Sequence, residues 1–242
     1  PTTWDELKDV AQKTTQGNVT GFAMCCLQNE EGTFNFTPWL WSTGATSYDI
    51  NNDNGIKALT LVKDLVDAGS MSKEVINWTQ GDVMNQFISG NIAMMVNGPW
   101  QVPTMREQAP DLNWDVTLLP KDAEYASCLG GENFGVIDGD NVDAALDFLQ
   151  FATSKDEVAS YIDDFGYIAA RKDVAEGQFT DDETMQKFTE EMQYAQPRGP
   201  HAQWPEISDA LSLAVNESIT GTSAPADAAA KAQSTIDGIL AE

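Results

Sequence analysis

Indole side chains outside any helical period are the residues of this sequence whose possible chemistry is clearest. Of the seven tryptophans, Trp39, Trp41, Trp100 and Trp204 lie in or beside segments broken by proline and glycine. A flat apolar ring can stack on the C–H face of a sugar, while polar groups at its edge hold the hydroxyls. The placement indicates either a ligand platform or ordinary packing under loops, and the residues alone leave both interpretations open.

Motifs for catalysis are nearly absent. A nucleophilic triad is nearly excluded because the sequence has one histidine, His201, and no GxSxG motif. It has no phosphate-binding P-loop and no GxGxxG, and no pair among its 38 Asp and Glu residues stands out for glycoside hydrolysis. Residues 49–55 are a near miss for a calcium loop, where Asp53 is better explained as a helix cap. We therefore predict no enzyme activity, no metal site and no cofactor.

Charge and cysteine content exclude further classes of function. With 13 Lys and Arg against 38 Asp and Glu, the net charge of −25 disfavours duplex nucleic acid and anionic lipid, which both need clustered basic residues. The cysteines Cys25, Cys26 and Cys128 form no disulfide framework, and buried free thiols are favoured over one bridge to Cys128. The chain opens without a methionine or an apolar signal region, so we expect a processed protein or part of a longer one.

Helices that alternate with short apolar strands must position these side chains. A Thr3/Glu6 capping box predicts the first helix, and a Ser154/Glu157 capping box predicts a later one. Between helices, an aromatic loop is expected over residues 34–44. Strands separated by helices imply an α/β architecture with sheet faces covered by helices. Strands are predicted over 21–27, 92–96, 115–119 and 134–137, and helices over 53–68, 81–89, 142–152, 155–165 and most of the chain after 182, with a break at 197–205.

Several motifs, in order along the chain, carry a family resemblance. Residues 1–7 resemble a "P-x-TW-x-E-L" helix start, and residues 87–100 resemble an "F-x-x-G-x-x-A-M-x-x-x-G-P-W" segment. Residues 130–131 resemble a crossover between lobes, and residues 167–174 are similar to "G-x-x-P-A-R-K-D-V" without its proline. The chain thus resembles the extracellular solute-binding proteins of ABC importers, in the carbohydrate-binding, maltose-binding-protein-like group. The resemblance implies a periplasmic-binding-protein-like (type II) α/β lobe, with a mixed sheet covered by helices.

The resemblance also implies a domain assignment. Residues 1–130 and 172–242 would form the second, C-terminal lobe, while residues 131–171 would belong to an N-terminal lobe that the chain otherwise lacks. An apolar face on that segment would lose its usual cover, so we expect it to pack on a neighbouring copy or to be displaced. This face comprises Leu146, Leu149, Val158 and Ile162.

By the resemblance, several aromatic side chains are candidate ligand contacts. Trp100 matches the tryptophan of the family's GPW segment, which stacks on sugar there. Trp39 and Trp41 lie in the region that supplies aromatic side chains in the family, although their register is open.

Polar candidates come from two further segments. Arg198 and Trp204 lie in the final pocket-lining break, where Arg198 would donate to hydroxyls or, equally, form a surface salt bridge with a nearby acid. Glu132, beside the glycine pair, would accept from sugar hydroxyls, with a hinge-surface role as the somewhat stronger alternative.

The resemblance also implies a function. Family members clamp a solute between two lobes and deliver it to a membrane permease. We therefore expect a periplasmic protein or an extracellular, membrane-anchored lipoprotein, with a small-molecule carbohydrate and ABC permease subunits as partners. Because the sequence has no basic cluster for an anion, a neutral sugar or oligosaccharide is expected. A non-sugar solute such as a polyamine, and a non-transport sensor or adhesin, stay open as alternatives.

Overall fold

The computed structural model describes residues 1–242 and divides into two compact units. The first comprises Pro1–Asn97, Thr117–Leu129 and Glu191–Glu242, and the second comprises Gly98–Val116 and Gly130–Glu190. The helices are α1 Trp4–Thr14, α2 Glu30–Ser42, α3 Asp53–Asp67, α4 Gln80–Ile88, α5 Val102–Gln108, α6 Val142–Ala152, α7 Lys155–Tyr161, α8 Lys172–Ala175, α9 Glu183–Glu191, α10 Trp204–Thr220 and α11 Pro225–Leu240. The strands β1 (Ser127–Cys128) and β2 (Ala195–Gln196) pair in parallel.

An extended segment over residues 20–26 runs through the first unit where a strand over 21–27 is predicted. Its amides alternate between two neighbours, because Ala23 N donates to Met94 O at 3.0 Å while Phe22 N donates to Ser70 O at 2.9 Å. This alternation leaves isolated bridges in place of a continuous ladder, so both 21–27 and 92–96 are extended without forming regular strands. The parallel bridges are Thr20 with Ile92 and Ala23 with Met95.

Helix α2 replaces the aromatic loop expected over residues 34–44, so that prediction is wrong. The Asn29 side chain caps the helix by accepting from Glu31 N at 2.9 Å and Gly32 N at 3.1 Å. Ten of its thirteen residues are buried, including Phe36 and Trp39. A helix that is buried on all sides has no amphipathic period, which is why its pattern resembles an aromatic loop.

Helices α3, α10 and α11 pack with α2 in the core of the first unit. Helix α3 agrees with the predicted helix over 53–68, but its cap is Asn52 and not Asp53, since the Asn52 side chain accepts from Asn54 N and Gly55 N. Polar side chains on buried faces find partners across the core, as Thr33 Oγ1 does by donating to Ser208 O at 2.8 Å. The core therefore joins the early helices to the C-terminal pair.

The second unit has a small core of its own. Val158, Ala169 and Val174 form its hydrophobic cluster. Arg106 on α5 forms a bidentate ion pair with Asp182, at 2.7 and 2.8 Å. These hydrogen bonds lower the pKa of the Asp182 carboxyl and raise that of Arg106.

Two predicted strands and one predicted cap are wrong, and one predicted capping box forms only in part. No strand forms over 115–119 or 134–137, and Phe134 and Ile137 are exposed to 65% and 90% because no neighbouring segment pairs with them. Ser154 makes no side-chain cap bond to α7. The capping box at Thr3 forms in one direction only, with Thr3 Oγ1 accepting from Glu6 N at 3.3 Å while the Glu6 carboxylate turns to Thr2.

The apolar face expected on residues 131–171 is covered only in part. Leu146 is exposed, and so are its neighbours Phe148 and Phe151. Val158, in contrast, is buried within the unit, so the expectation that the whole face lacks cover is wrong at that position. None of the helices has the length and apolar character needed to cross a bilayer.

Candidate functional site: an aromatic corner beside a cavity

Two helix starts meet at the centre of the candidate site. Glu30 is the first residue of α2 and Trp204 is the first residue of α10. The indole Nε1–H of Trp204 donates to the Glu30 carboxylate, with 3.0 Å to each oxygen. Arg198 Nη1 donates to the same carboxylate at 2.5 Å. Glu30 therefore holds two of the predicted site residues at once, and Arg198 does form the salt bridge considered as its alternative.

Arg198 is fixed from a second direction by an aromatic ring. Its guanidinium carbon lies 4.7 Å from the centroid of Phe34, which is one helical turn after Glu30 on α2. The Arg198 side chain is 20% exposed, and its Nε is buried without a hydrogen-bond partner. A guanidinium held in this way keeps donor groups available for a ligand hydroxyl.

Tyr48 completes an aromatic corner with Trp204. Their ring centroids lie 6.4 Å apart with planes at 75°, and the His201 ring lies 6.5 Å from Tyr48. His201 Nδ1 accepts from Gln203 N at 3.1 Å, so this histidine supports the start of α10 and its Nδ1 is not available as a base. Gly199 has φ of +74°, and a Cβ there would lie 3.2 Å from His201 N, so glycine is required for this turn.

A cavity of about 330 Å³ opens beside this corner within the first unit. Trp41 forms part of its wall and donates through Nε1 to Ser47 Oγ at 3.2 Å. Glu124 is the one charged lining residue. Aromatic faces with a few hydroxyl and amide groups are the usual lining of a small-molecule site. The lining comprises Trp41, Gly44, Ala45, Thr46, Ser47, Tyr48, Glu124, Gln196, Pro197 and Gly199.

The loop that carries Tyr48 is held by α11. Gln233 donates through Nε2 to Tyr48 O at 3.0 Å and accepts through Oε1 from Ile50 N at 2.8 Å. Elsewhere in the lining, Ser42 Oγ donates to Glu124 O at 2.6 Å, which ties the segment of Glu124 to the end of α2. The cavity walls are therefore fixed to helices, which pre-organises them for binding.

The other predicted residues are distributed differently. Trp39 is 2% exposed and lies against Trp4 and Phe22, at centroid distances of 6.2 and 5.9 Å, so we leave it out of the proposed site. Trp100 belongs to the second unit, where its ring occupies the space that a Cβ on Gly98 would need.

The second unit also contains Glu132, which is exposed. In the first unit, sequence reasoning did not find Glu30 and Tyr48. The Asn29–Glu30–Glu31 run, an N-cap followed by acidic residues, is the signal that could have identified Glu30 at a helix start.

Each of the three cysteines has a thiol pKa above its ordinary value. None of the three forms a disulfide, which agrees with the expectation of free thiols. Burial raises the pKa of Cys25 to about 12 and that of Cys128 to about 11, and it raises the pKa of Cys26 well above its ordinary value. No group of three or more His, Cys, Asp or Glu side chains is arranged to hold a metal ion.

Comparison with known proteins identifies the class to which this fold and site belong. The model of the bacterial extracellular solute-binding protein family matches residues 1–190, and the chain is a member of that family. Curated binding proteins of Brucella abortus and Brucella suis are 27% identical to it over 248 aligned residues, which cover 96% of this chain and 60% of each relative.

Solved structures agree with the family assignment. An ABC transporter solute-binding protein of Thermotoga lettingae, bound to α-D-tagatose, is 27% identical with a TM-score of 0.85 and aligns with 99% of this chain. The GacH receptor of Streptomyces glaucescens, solved without ligand and with acarbose, is 25% identical with a TM-score of 0.84. The expected fold class, an α/β periplasmic-binding-protein type II architecture, is confirmed. The chain spans 65% of the length of each of these two proteins.

Proposed function

We propose that this protein is the extracellular solute-binding component of an ABC importer, and that it binds a neutral sugar or oligosaccharide. The observation that carries the proposal is the perpendicular pair of Tyr48 and Trp204 beside the 330 Å³ cavity. Such a corner offers a ring face for sugar C–H groups, and the Arg198 guanidinium beside it can donate to hydroxyls. The ligands named for the related tagatose and acarbose proteins support the same class of solute.

Trp41, Arg198 and Trp204 are the proposed ligand contacts in the first unit. Trp100 and Glu132, which belong to the second unit, remain proposed ligand contacts by the family resemblance. Closure of two lobes around the solute would create the surface that an ABC permease recognises. The family supports a location outside the cytoplasmic membrane, and we propose either a periplasmic protein or a lipid-anchored extracellular one.

A domain assignment accompanies this function. We propose that residues 131–171 belong to an N-terminal lobe and that preceding sequence in the gene product covers the exposed Leu146, Phe148 and Phe151. In the isolated chain, the same apolar residues would promote self-association. Analytical ultracentrifugation of the isolated chain and of the full-length gene product tests this assignment. We expect the isolated chain to self-associate and the full-length gene product to stay monomeric.

A cationic solute is the second candidate, because Glu124 is the one charged residue in the cavity lining. Calorimetric titration of the full-length gene product with maltotriose, D-tagatose and spermidine separates the candidates. We expect binding of a neutral sugar and none of spermidine; the reverse result would replace our proposal with the cationic one.

The Trp204→Ala variant tests the stacking role. It should weaken sugar binding at least tenfold, about 1.4 kcal/mol, because the ring face is lost. Leu213→Ala, which removes an exposed apolar side chain from the same helix, is the matched control and should leave the affinity unchanged. Equal affinities for all three proteins would contradict the assigned site.

A further inference from the structure

Glu30 neutralises the positive charge of the Arg198 guanidinium near the cavity. Arg198 lies between Pro197 and Gly199, which both line the cavity, and its guanidinium contacts the Glu30 carboxylate at 2.5 Å. Without Glu30, the positive charge of Arg198, whose side chain is 20% exposed, would lie unpaired next to two cavity-lining residues. An unpaired guanidinium at the cavity attracts a carboxylate on a ligand, and partial burial reduces the screening of this attraction by water.

The same carboxylate also fixes the aromatic platform. Trp204 Nε1 lies 3.0 Å from both Glu30 oxygens, so the indole plane is tied to the start of α2. The Phe34 ring contacts the Arg198 guanidinium, whose carbon lies 4.7 Å from the ring centroid. Glu30 is itself 46% exposed, so its side chain is held by these partners rather than by burial.

We propose that Glu30 is a positioning and specificity-determining residue, which orients Trp204 and Arg198 and cancels the charge of Arg198 so that uncharged glycans are selected over acidic ones. The inference rests on the proposed function for its ligand class. Its positioning half is independent of any ligand, because it concerns contacts within the first unit.

The positioning half is tested by the indole Nε1–H resonances of the protein in ¹H–¹⁵N NMR spectra. The resonance lost in Trp204→Phe identifies Trp204. It should shift in Glu30→Gln, since the carboxylate that accepts its hydrogen bond is replaced by a neutral amide, and stay in place in Glu206→Gln. Glu206 is an exposed acid two residues after Trp204 with the same charge change. An unshifted Trp204 resonance in Glu30→Gln overturns the positioning role.

The specificity role is tested with trigalacturonic acid and its full methyl ester, which share one sugar backbone and differ in the charge of their carboxyl groups, together with maltotriose as a neutral reference. The ratio of acid to ester affinity should rise at least tenfold in Glu30→Gln, fall again as salt is raised, and return to the wild-type value in Glu30→Gln/Arg198→Gln. An unchanged ratio, or an equal rise in Glu206→Gln, overturns the specificity role. If no variant binds any of the three glycans, the proposed function fails together with the specificity role, while the NMR result still decides positioning.

Discussion

The carboxylate of Glu30 lies 3.0 Å from the indole nitrogen of Trp204, and these two residues begin two different helices. They are 174 positions apart in the sequence. A helix N-terminus carries a partial positive charge, so the start of α2 favours a carboxylate at that position. The contact links the aromatic corner to the most buried helix of the first unit.

Truncation of Trp39 should affect stability and not binding. Trp39→Ala removes a 2% exposed ring that packs edge-on against Phe22, and should lower the free energy of unfolding by about 3–5 kcal/mol. Urea denaturation measures the loss, and calorimetry on the folded protein should give an unchanged sugar affinity. Weakened sugar affinity with an unchanged free energy of unfolding would show that Trp39 contacts the ligand and would contradict its assignment to the core.

Thiol reactivity should be controlled by unfolding. With a pKa of about 12, only about 10⁻⁴ of the Cys25 thiol is ionised at pH 8. It should therefore react with Ellman's reagent far more slowly than a solvent-exposed thiol of ordinary pKa. Reaction in 8 M urea should be complete within the mixing time. Rapid reaction of Cys25 in the native protein, followed in a Cys26→Ser/Cys128→Ser background, would contradict its burial.

The Arg106–Asp182 pair should make the second unit sensitive to acid. A carboxyl whose folded pKa lies below its unfolded value, about 3.9, contributes stability above that pH and loses it as the pH falls through the folded pKa. Asp182→Asn should therefore cost up to about 1 kcal/mol at pH 7, since the pair is partly exposed, and progressively less as the pH falls below about 3.9. A cost that does not change with pH would show that the lost contribution is not the ion pair.

Salt should stabilise the folded chain. A net charge of −25 repels itself more strongly in the compact state than in the unfolded chain, and added ions screen that repulsion. The urea midpoint should rise as NaCl is raised from 20 mM to 500 mM. A matched increase in sucrose osmolality serves as the control for excluded-solute effects, and an equal rise in sucrose would remove the electrostatic explanation.

Sequence patterns predicted the amphipathic elements well and the buried ones poorly. Helices α3, α10 and α11 have an apolar face and were found, whereas α2 is buried on nearly all sides and has no period to detect. The segment over 134–137 is apolar enough to predict a strand, but a strand also needs a backbone partner, which no local pattern reveals.

The candidate site was predictable only in part for the same reason. Trp41, Arg198 and Trp204 could be selected because they lie near breaks in the pattern. The Asn29 cap could have placed Glu30 at a helix start, but the roles of Glu30 and Tyr48 depend on contacts with residues more than 150 positions away. Trp39 looked equivalent to Trp41, but the direction of its ring is set by helix packing that the sequence does not display.

The central claim is that the corner of Tyr48 and Trp204 binds a neutral glycan, and indole NMR during a maltotriose titration tests it most directly. Our account predicts that the Trp204 and Trp41 resonances move with a common affinity, while those of the buried Trp4 and Trp39 stay in place. Binding of maltotriose without any change at Trp204 would contradict it.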